Sequence, residues 1–462
     1  MESDPASHVM DPEVAAVPTA PGTALRRVIW TLAWPVILTF LLESLVGVID
    51  TLMVGRLGAG AVAAVGVGAQ VLSAVSVAMT AVGTGTLALV ARHIGAGDRV
   101  EAEEVLRQSV FAAWGLSVLV VVPVIAFAEP LVAAFGVDGD VVRDGAAFVR
   151  WVMPSIPQAA VLFVIGSALR AAGDTRTPLL IGIGVNVLNV IGNYGLIFGH
   201  FGLPALGVRG SALATTGAFT AGAVVGLVLL LGQRQALRLT LRRVRIHVPI
   251  VRRVFAVGYP AAAEQLLMQL GFFLYLAFAA RYGTSAVAAY FIGVRILALS
   301  FLPGFGFAAA AAALVGQSLG AADPGRAEAS GWEATRMAVY LMSACGAVLF
   351  VAARPIAALF VDDPTVVEHT VSFIRTLAAA QPLMAIDFTL GGALRGAGDT
   401  RWPLVTVFVG FYGCRLVFAY LAAFVLHLSL PWVWFALMGD YLARSALKTW
   451  RFQGGRWKHV VV

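Results

Sequence analysis

Long apolar runs alternate along this chain with short polar stretches. Twelve such runs are visible, at about 28–54, 61–90, 106–127, 146–169, 178–198, 208–231, 254–280, 286–315, 337–353, 371–394, 403–426 and 432–447. A helix needs about 20 apolar residues to cross a bilayer. Backbone groups cannot stay unpaired in hydrocarbon, and runs this long are not the alternating ten-residue strands of a barrel. The pattern predicts an all-α polytopic membrane protein with twelve transmembrane helices.

Composition agrees. The 462 residues are 60% hydrophobic and 12% charged, against about 25% charged in soluble domains. The net charge of +7 does not point to nucleic acid, because the basic residues lie in short segments between the runs. With the N-terminus inside, the cytoplasmic segments hold about 23 of the 32 Lys and Arg and the external ones about seven, so both termini are expected in the cytoplasm of a cell-membrane protein. The basic segment 233–250 reads as an anchor to anionic headgroups. Residues 1–24 read as a disordered cytoplasmic tail rather than a signal peptide, and 453–462 as a second tail. Cys345 and Cys414 both fall in apolar runs and imply neither a disulfide framework nor a metal cluster.

The chain repeats itself. SALRAAGDTRTP, ending at Pro178, returns as GALRGAGDTRWP, ending at Pro403, with nine of twelve positions identical. At the same offset of 225 residues, ALVARHIGAGD lies over ALVGQSLGAAD, LGAGAVAAV over YGTSAVAAY, and Pro35 over Pro260. Two homologous six-helix bundles follow, at 25–232 and 251–452. Six is even, so both enter the membrane in the same sense, and the substrate path is expected between them. The repeated motif would form the loop between the fourth and fifth helices of each half. There Gly permits the turn, Asp174 or Asp399 caps the next helix, Pro sits in its first turn, and Arg170 and Arg395 face the cytoplasm.

Two six-helix halves, the LRxAGDTR motif in each, and a proline separated by fourteen residues from DTLMVGRLG in the first helix resemble the MATE (multidrug and toxic compound extrusion) family. The resemblance covers about residues 25–452. It implies efflux of cationic or amphiphilic compounds driven by inward flow of H+ or Na+, with no other cofactor. Related flippases of lipid-linked precursors usually have fourteen helices.

An ionisable group within hydrocarbon costs at least about 2.5–3.5 kcal/mol and needs a reason. Asp50, deep in VGVIDTLMVG, has no basic residue within a helical turn. Such a carboxylate takes up a proton readily, which makes it the leading candidate for cation coupling, with a Na+ site there as the variant; the alternative is a hydrogen-bonded clasp between helices. The resemblance places an aspartate here in the family's N-half cation site. Glu43, seven residues earlier on the same helix face, either faces the central cavity or snorkels to the headgroups. Asn186, Asn189 and Asn193 form one stripe of the fifth helix, lining the site or serving only interhelical bonding. The resemblance matches Asn189 and Asn193 to coupling positions; some proton-coupled members have Asp where this chain has Asn193.

In the C half, Met268 stands where many sodium-linked members carry Glu, and Glu264 lies one turn earlier. Asp387 lies about one turn from another acidic position of the family. Together with Gln70, Gln265, Gln269 and Tyr275, these are candidates for the substrate cavity, with Arg295 and Arg415 as charge partners of the acids. Asp440 and Arg444, at i and i+4, suggest a local pair. Phe272, Phe273, Tyr290 and Phe291 could line an adaptable pocket or simply face lipid. No phosphate-binding loop, metal-ligand spacing or catalytic triad is present, so an enzyme is not expected. The expectation is a monomeric secondary antiporter working by alternating access, surrounded by lipid and without a nucleic-acid partner. The alternative is a flippase for lipid-linked glycans or polyprenyl phosphates, which the two intramembrane arginines would serve.

Overall fold

The computed structural model describes residues 22–232, 237–239 and 245–460. The N-terminal tail up to residue 21 and half of the basic linker lie outside the described residues.

The described residues are helical and contain no strand. The first half comprises α1 (Thr23–Gly55), α2 (Ala59–Gly95), α3 (Arg99–Ala126), a short α4 (Ala128–Ala133), α5 (Gly139–Val152), α6 (Ser155–Ala171), α7 (Arg176–Phe198) and α8 (Val208–Leu231). The second comprises α9 (Val248–Ala280), α10 (Thr284–Ser300) continuing into α11 (Leu302–Gly320), α12 (Pro324–Val351), a short α13 (Ala353–Ala358) and α14 (Pro364–Gly396). It ends with α15 (Arg401–Val407), α16 (Val417–Tyr420) and α17 (Leu430–Gln453); wider π turns run over Phe408–Leu416 and Leu421–Val425 on either side of α16.

Ten of these helical segments are long and apolar enough to span a membrane. The expected fourth run is an eleventh, realised as α5 and α6 with a 47° bend between them at Met153 and Pro154. The expected last run is α17, which is helical but not apolar enough to pass on composition, because Asp440, Arg444, Lys448 and Arg451 lie along it.

The joint between the halves follows the repeat. Leu25 and Ile29 at the start of α1 are buried in the core of the second half, and Ile250 and Val254 at the start of α9 in the core of the first. Both pairs are 225 apart. Where these helices cross, small residues let backbones touch. A β-carbon on Gly258 would stand 1.7 Å from the Ala81 carbonyl oxygen, and one on Gly306 would stand 2.8 Å from that of Ala33. One on Gly95 would lie 1.9 Å from the Gln317 oxygen, and one on Gly320 2.0 Å from the Arg92 oxygen. Every one of these residues has its counterpart at the 225 offset: 33 with 258, 81 with 306, 92 with 317 and 95 with 320. Polar bonds follow the pattern to within one residue at the acceptor. Arg92 donates to the Ala397 carbonyl at 3.1 Å, and Gln317 donates to the Ala171 carbonyl at 2.7 Å.

This seam lies at the ends nearest the termini. Arg92 also donates to the Val460 carbonyl (2.9 Å), and Arg26 pairs with Glu333 (2.5 Å). Toward the opposite face, α10 packs mainly on α14 and α9 of its own half, and Leu52 and Phe273 are exposed. The molecule is therefore closed on the termini side.

The repeated loops behave as their glycines require. Gly173 (φ 90°) and Gly398 (φ 87°) take left-handed backbone where a β-carbon would be strained. Asp174 caps α7 as expected, accepting from the Arg176 and Thr177 amides. Asp399 does not cap its helix; its carboxylate takes a bond from Arg451 at 2.8 Å. Arg170 and Arg395 do not face outward. Each folds back over a glycine one turn earlier, Gly166 and Gly391, where a β-carbon would stand 3.1 and 3.4 Å from the guanidinium. The missing side chain leaves room for a long cation to run inward along its own helix.

Candidate functional site

The first half holds one polar cluster within its membrane-spanning helices. Asp50, near the far end of α1, meets the stripe on α7. Asn193 Nδ2 donates to Asp50 Oδ1 at 2.7 Å. The Asn189 amide lies between Asp50 and Thr215, 3.1 Å from the Thr215 hydroxyl oxygen, and with its nitrogen turned toward Asp50 it reaches both carboxylate oxygens at 3.1 and 3.2 Å. Asn189 and Asn193 are buried, as the i, i+4 spacing on one helix face requires. Asn186, half-buried, takes no part in these bonds. Thr215 of α8 was not legible in advance: a threonine in an apolar run usually bonds its own helix, and Thr215 also does so, to the Ser211 carbonyl at 3.0 Å.

Two features of this cluster bear on chemistry. Among the described residues no cation pairs with Asp50, and its carboxylate rests on amide donors. Asn193 Oδ1 is buried without a donor, which is costly in a dry site. A carboxylate held only by neutral groups suits a proton or a small hard cation, because no fixed positive charge competes for it. Among the described residues no group of three or more His, Cys, Asp or Glu is placed to hold a metal ion.

Glu43 lies two turns from Asp50 on α1 and lines a cavity inside the first half, of about 130 Å³, together with Thr39, Arg170, Phe163, Gly182 and Phe219. Gln70 and Gln265 are exposed. Gln269 reaches across the halves, its amide 3.5 Å from the Ser73 hydroxyl.

The second half is built the other way: every acid the sequence singled out is paired. Glu264 accepts from Arg395, the repeated-motif arginine, at 3.0 Å. Asp387 is fully buried between Lys448 (2.5 Å) and Arg444 (2.8 Å). Asp440 pairs with Arg415 at 3.5 Å, both enclosed. These contacts correct several expectations. Arg444 turns away from Asp440, its i−4 neighbour, to Asp387. Arg295 is exposed and pairs with none of the acids. Lys448, near the end of its helix, was not singled out by the sequence pattern. Asp387 and Tyr275 do not line a cavity: Tyr275 is buried, donates to the Val433 carbonyl at 2.6 Å and carries the Arg415 guanidinium over its ring at 4.4 Å. Met268 is half-buried, with its sulfur 3.8 Å from Arg444 Nη1. Phe272 and Tyr290 likewise pack on the C-half core, while Phe273 and Phe291 are exposed.

Two repeated helical bundles closed at one end, each with polar groups at membrane depth, define a polytopic carrier of the two-bundle type. The MatE family model matches the chain twice, over residues 35–195 and 260–421, again starting 225 residues apart. The chain belongs to the MatE family. A "Probable multidrug resistance protein NorM" of Burkholderia pseudomallei is 32% identical, with 91% of each chain covered. One of the same description from Thermotoga maritima is 28% identical over 94% of this chain and 93% of its own length. "Multidrug resistance protein PmpM" of Pseudomonas aeruginosa is 28% identical over 88% and 86%. Among solved structures, a MOP superfamily transporter from Pyrococcus furiosus superposes with a TM-score of 0.88 at 23% identity, covering 96% of this chain and 99% of that one. An outward-facing MATE family transporter gives 0.86, also at 23%, covering 93% and 96%. At that identity these two speak to the fold.

Proposed function

We propose that this chain is a secondary antiporter of the cell membrane. It exports cationic or amphiphilic compounds in exchange for H+ or Na+, as the multidrug-resistance descriptions of its relatives suggest. The observation that carries the reading is the contrast between the halves. Asp50 has only amide partners, whereas Glu264, Asp387 and Asp440 are each held by a cation. A carboxylate locked in an ion pair keeps its charge through a cycle; one held by amides can change it.

In the proposed cycle the termini lie in the cytoplasm, so the closed seam makes this the outward-open state. External H+ or Na+ reaches Asp50, neutralises it and supplies the partner that Asn193 Oδ1 lacks. Neutralisation weakens the hold on a cationic substrate, which leaves outward. The seam then opens, the cation is released inside, and the ionised Asp50 favours the next substrate. The ion drives the change only through its different affinity for the two states. The flippase alternative gains no support, because Arg415 is enclosed with Asp440 rather than lining a cavity.

The test is counterflow of a fluorescent organic cation in proteoliposomes, under a pH gradient or a sodium gradient imposed separately. The wild type responds to one of them, and Asp50→Asn to neither. A mutant that still couples rejects the assignment.

A further inference from the structure

We propose that Glu43, facing Arg170 across the cavity between them, is a second proton station that carries protons between Asp50 and the termini side. The inference rests on the proton arm of the function proposed above and deepens it.

Distance is the starting point. Asp50 is 27 residues along α1 from Thr23, about 40 Å at 1.5 Å per residue. A proton taken up at Asp50 from the far side must therefore cross most of the membrane to leave on the other. Glu43 shortens that path, standing about 10 Å along the helix from Asp50 in the right direction. The cavity it lines continues the same way. Arg170 lies in the last turn of α6 and Pro178 in the first turn of α7, so the cavity ends within a turn of the termini-side loop. About 130 Å³ leaves room for several waters, at about 30 Å³ each in the liquid.

The chemistry of the walls fits. Glu43 and Arg170 are the charged groups lining the cavity; α7 and α8 contribute Ile181, Gly182 and Phe219 and no ionisable side chain. On the termini-side part of α1 pack α11, which carries no acidic or basic residue, and α12, whose Glu333 is held by Arg26 at the start of α1. Glu43 and Arg170 share the cavity without closing into an ion pair. In the second half the corresponding arginine, Arg395, is closed on Glu264 at 3.0 Å. The repeated motif thus places a cation beside the first helix of each half. In one half it locks an acid. In the other it stands off from an acid that stays free to exchange a proton.

The step balances with water as carrier. The proton leaves the Asp50 carboxyl, which becomes the carboxylate held by Asn189 and Asn193. It passes through hydrogen-bonded water to the Glu43 carboxylate. From the Glu43 carboxyl it goes to water in the cavity and out as hydronium on the termini side, returning Glu43 to the carboxylate facing Arg170.

The test uses the full chain in proteoliposomes with ethidium as probe, comparing Glu43→Gln and Glu43→Asp with the wild type. Three quantities are read: ethidium movement driven by a pH gradient, ethidium–ethidium exchange without a gradient, and equilibrium ethidium binding. Glu43→Gln should lose the gradient-driven movement and keep exchange and binding, and Glu43→Asp should restore the movement. Gradient-driven movement at the wild-type rate in Glu43→Gln overturns the proposal. So does loss of exchange alongside it, which marks a structural role. A wild type driven by sodium and indifferent to pH removes the proton arm itself, a failure distinguishable because it shows without any mutation.

Discussion

Asn193 and Asp50 meet across 143 residues of chain, with 2.7 Å between Nδ2 and Oδ1. The bond joins the far end of the first helix to the last turns of α7. It leaves the acid with an amide where the second half supplies a cation to Glu264, Asp387 and Asp440. The behaviour of the site can be tested through this pair. Asn193→Asp would put a second carboxylate against the first. Two carboxylates in contact cannot both ionise unless a cation joins them. The substitution is expected to tighten sodium binding by about tenfold, or 1.4 kcal/mol. Thermal stabilisation by sodium chloride relative to choline chloride measures this, and an unchanged sodium effect counts against a cation site here.

The C-half network should behave as scaffolding. Asp387→Leu leaves Lys448 and Arg444 buried without their acid, and losing one member of a buried pair costs about 3–5 kcal/mol. Combining Asp387→Leu with Lys448→Met should recover part of that loss. Thermal unfolding of the single and double variants in detergent reads the coupling. Additive losses would mean that the two groups do not depend on each other.

The seam between the halves should be sensitive to a single methyl group. Gly95→Ala and Gly320→Ala each place a β-carbon about 2 Å from a backbone oxygen of the other half, so the closed state must loosen. Thr86, fully buried at this level, reports on it. Thr86→Cys in a background lacking Cys345 and Cys414 should resist a water-soluble maleimide, and should become reactive when either glycine is replaced. Equal labelling with and without the alanines would show that the seam tolerates them.

Ala322 offers a stability test independent of transport. It occupies the position equivalent to Gly97 and takes the same left-handed backbone, φ 55° against 76°. An alanine there carries about 1–2 kcal/mol of strain, partly offset by the greater chain entropy of a glycine in the unfolded state. Ala322→Gly should therefore stabilise the protein by about 0.5–1 kcal/mol, and Gly97→Ala, with open space around the position, should destabilise it by a similar amount. Denaturant or thermal unfolding decides both signs.

The helical spans, the duplication and the conformation of the repeated turns can be read along the chain, because each depends on local composition or on spacing within one strand of sequence. Apolar length dictates helices in lipid, the 225-residue offset dictates two like halves, and Gly173 and Gly398 dictate the turn. Asn189 and Asn193 were legible as partners for Asp50, since a helical stripe of amides at membrane depth has few other uses.

Which charge meets which was decided by packing. Asp440 and Arg444 are ideal neighbours on one helix, yet Arg415 reaches Asp440 from the π turns of Phe408–Leu416 and Arg444 turns to Asp387. Lys448 finds Asp387 across 61 residues. Arg170 and Arg395 share one motif, yet one faces a cavity and the other a salt bridge, because their acids sit one turn apart on the two first helices. A sequence period says which face of a helix a residue occupies. Which helix lies opposite, and at what height, follows only from how the twelve runs pack.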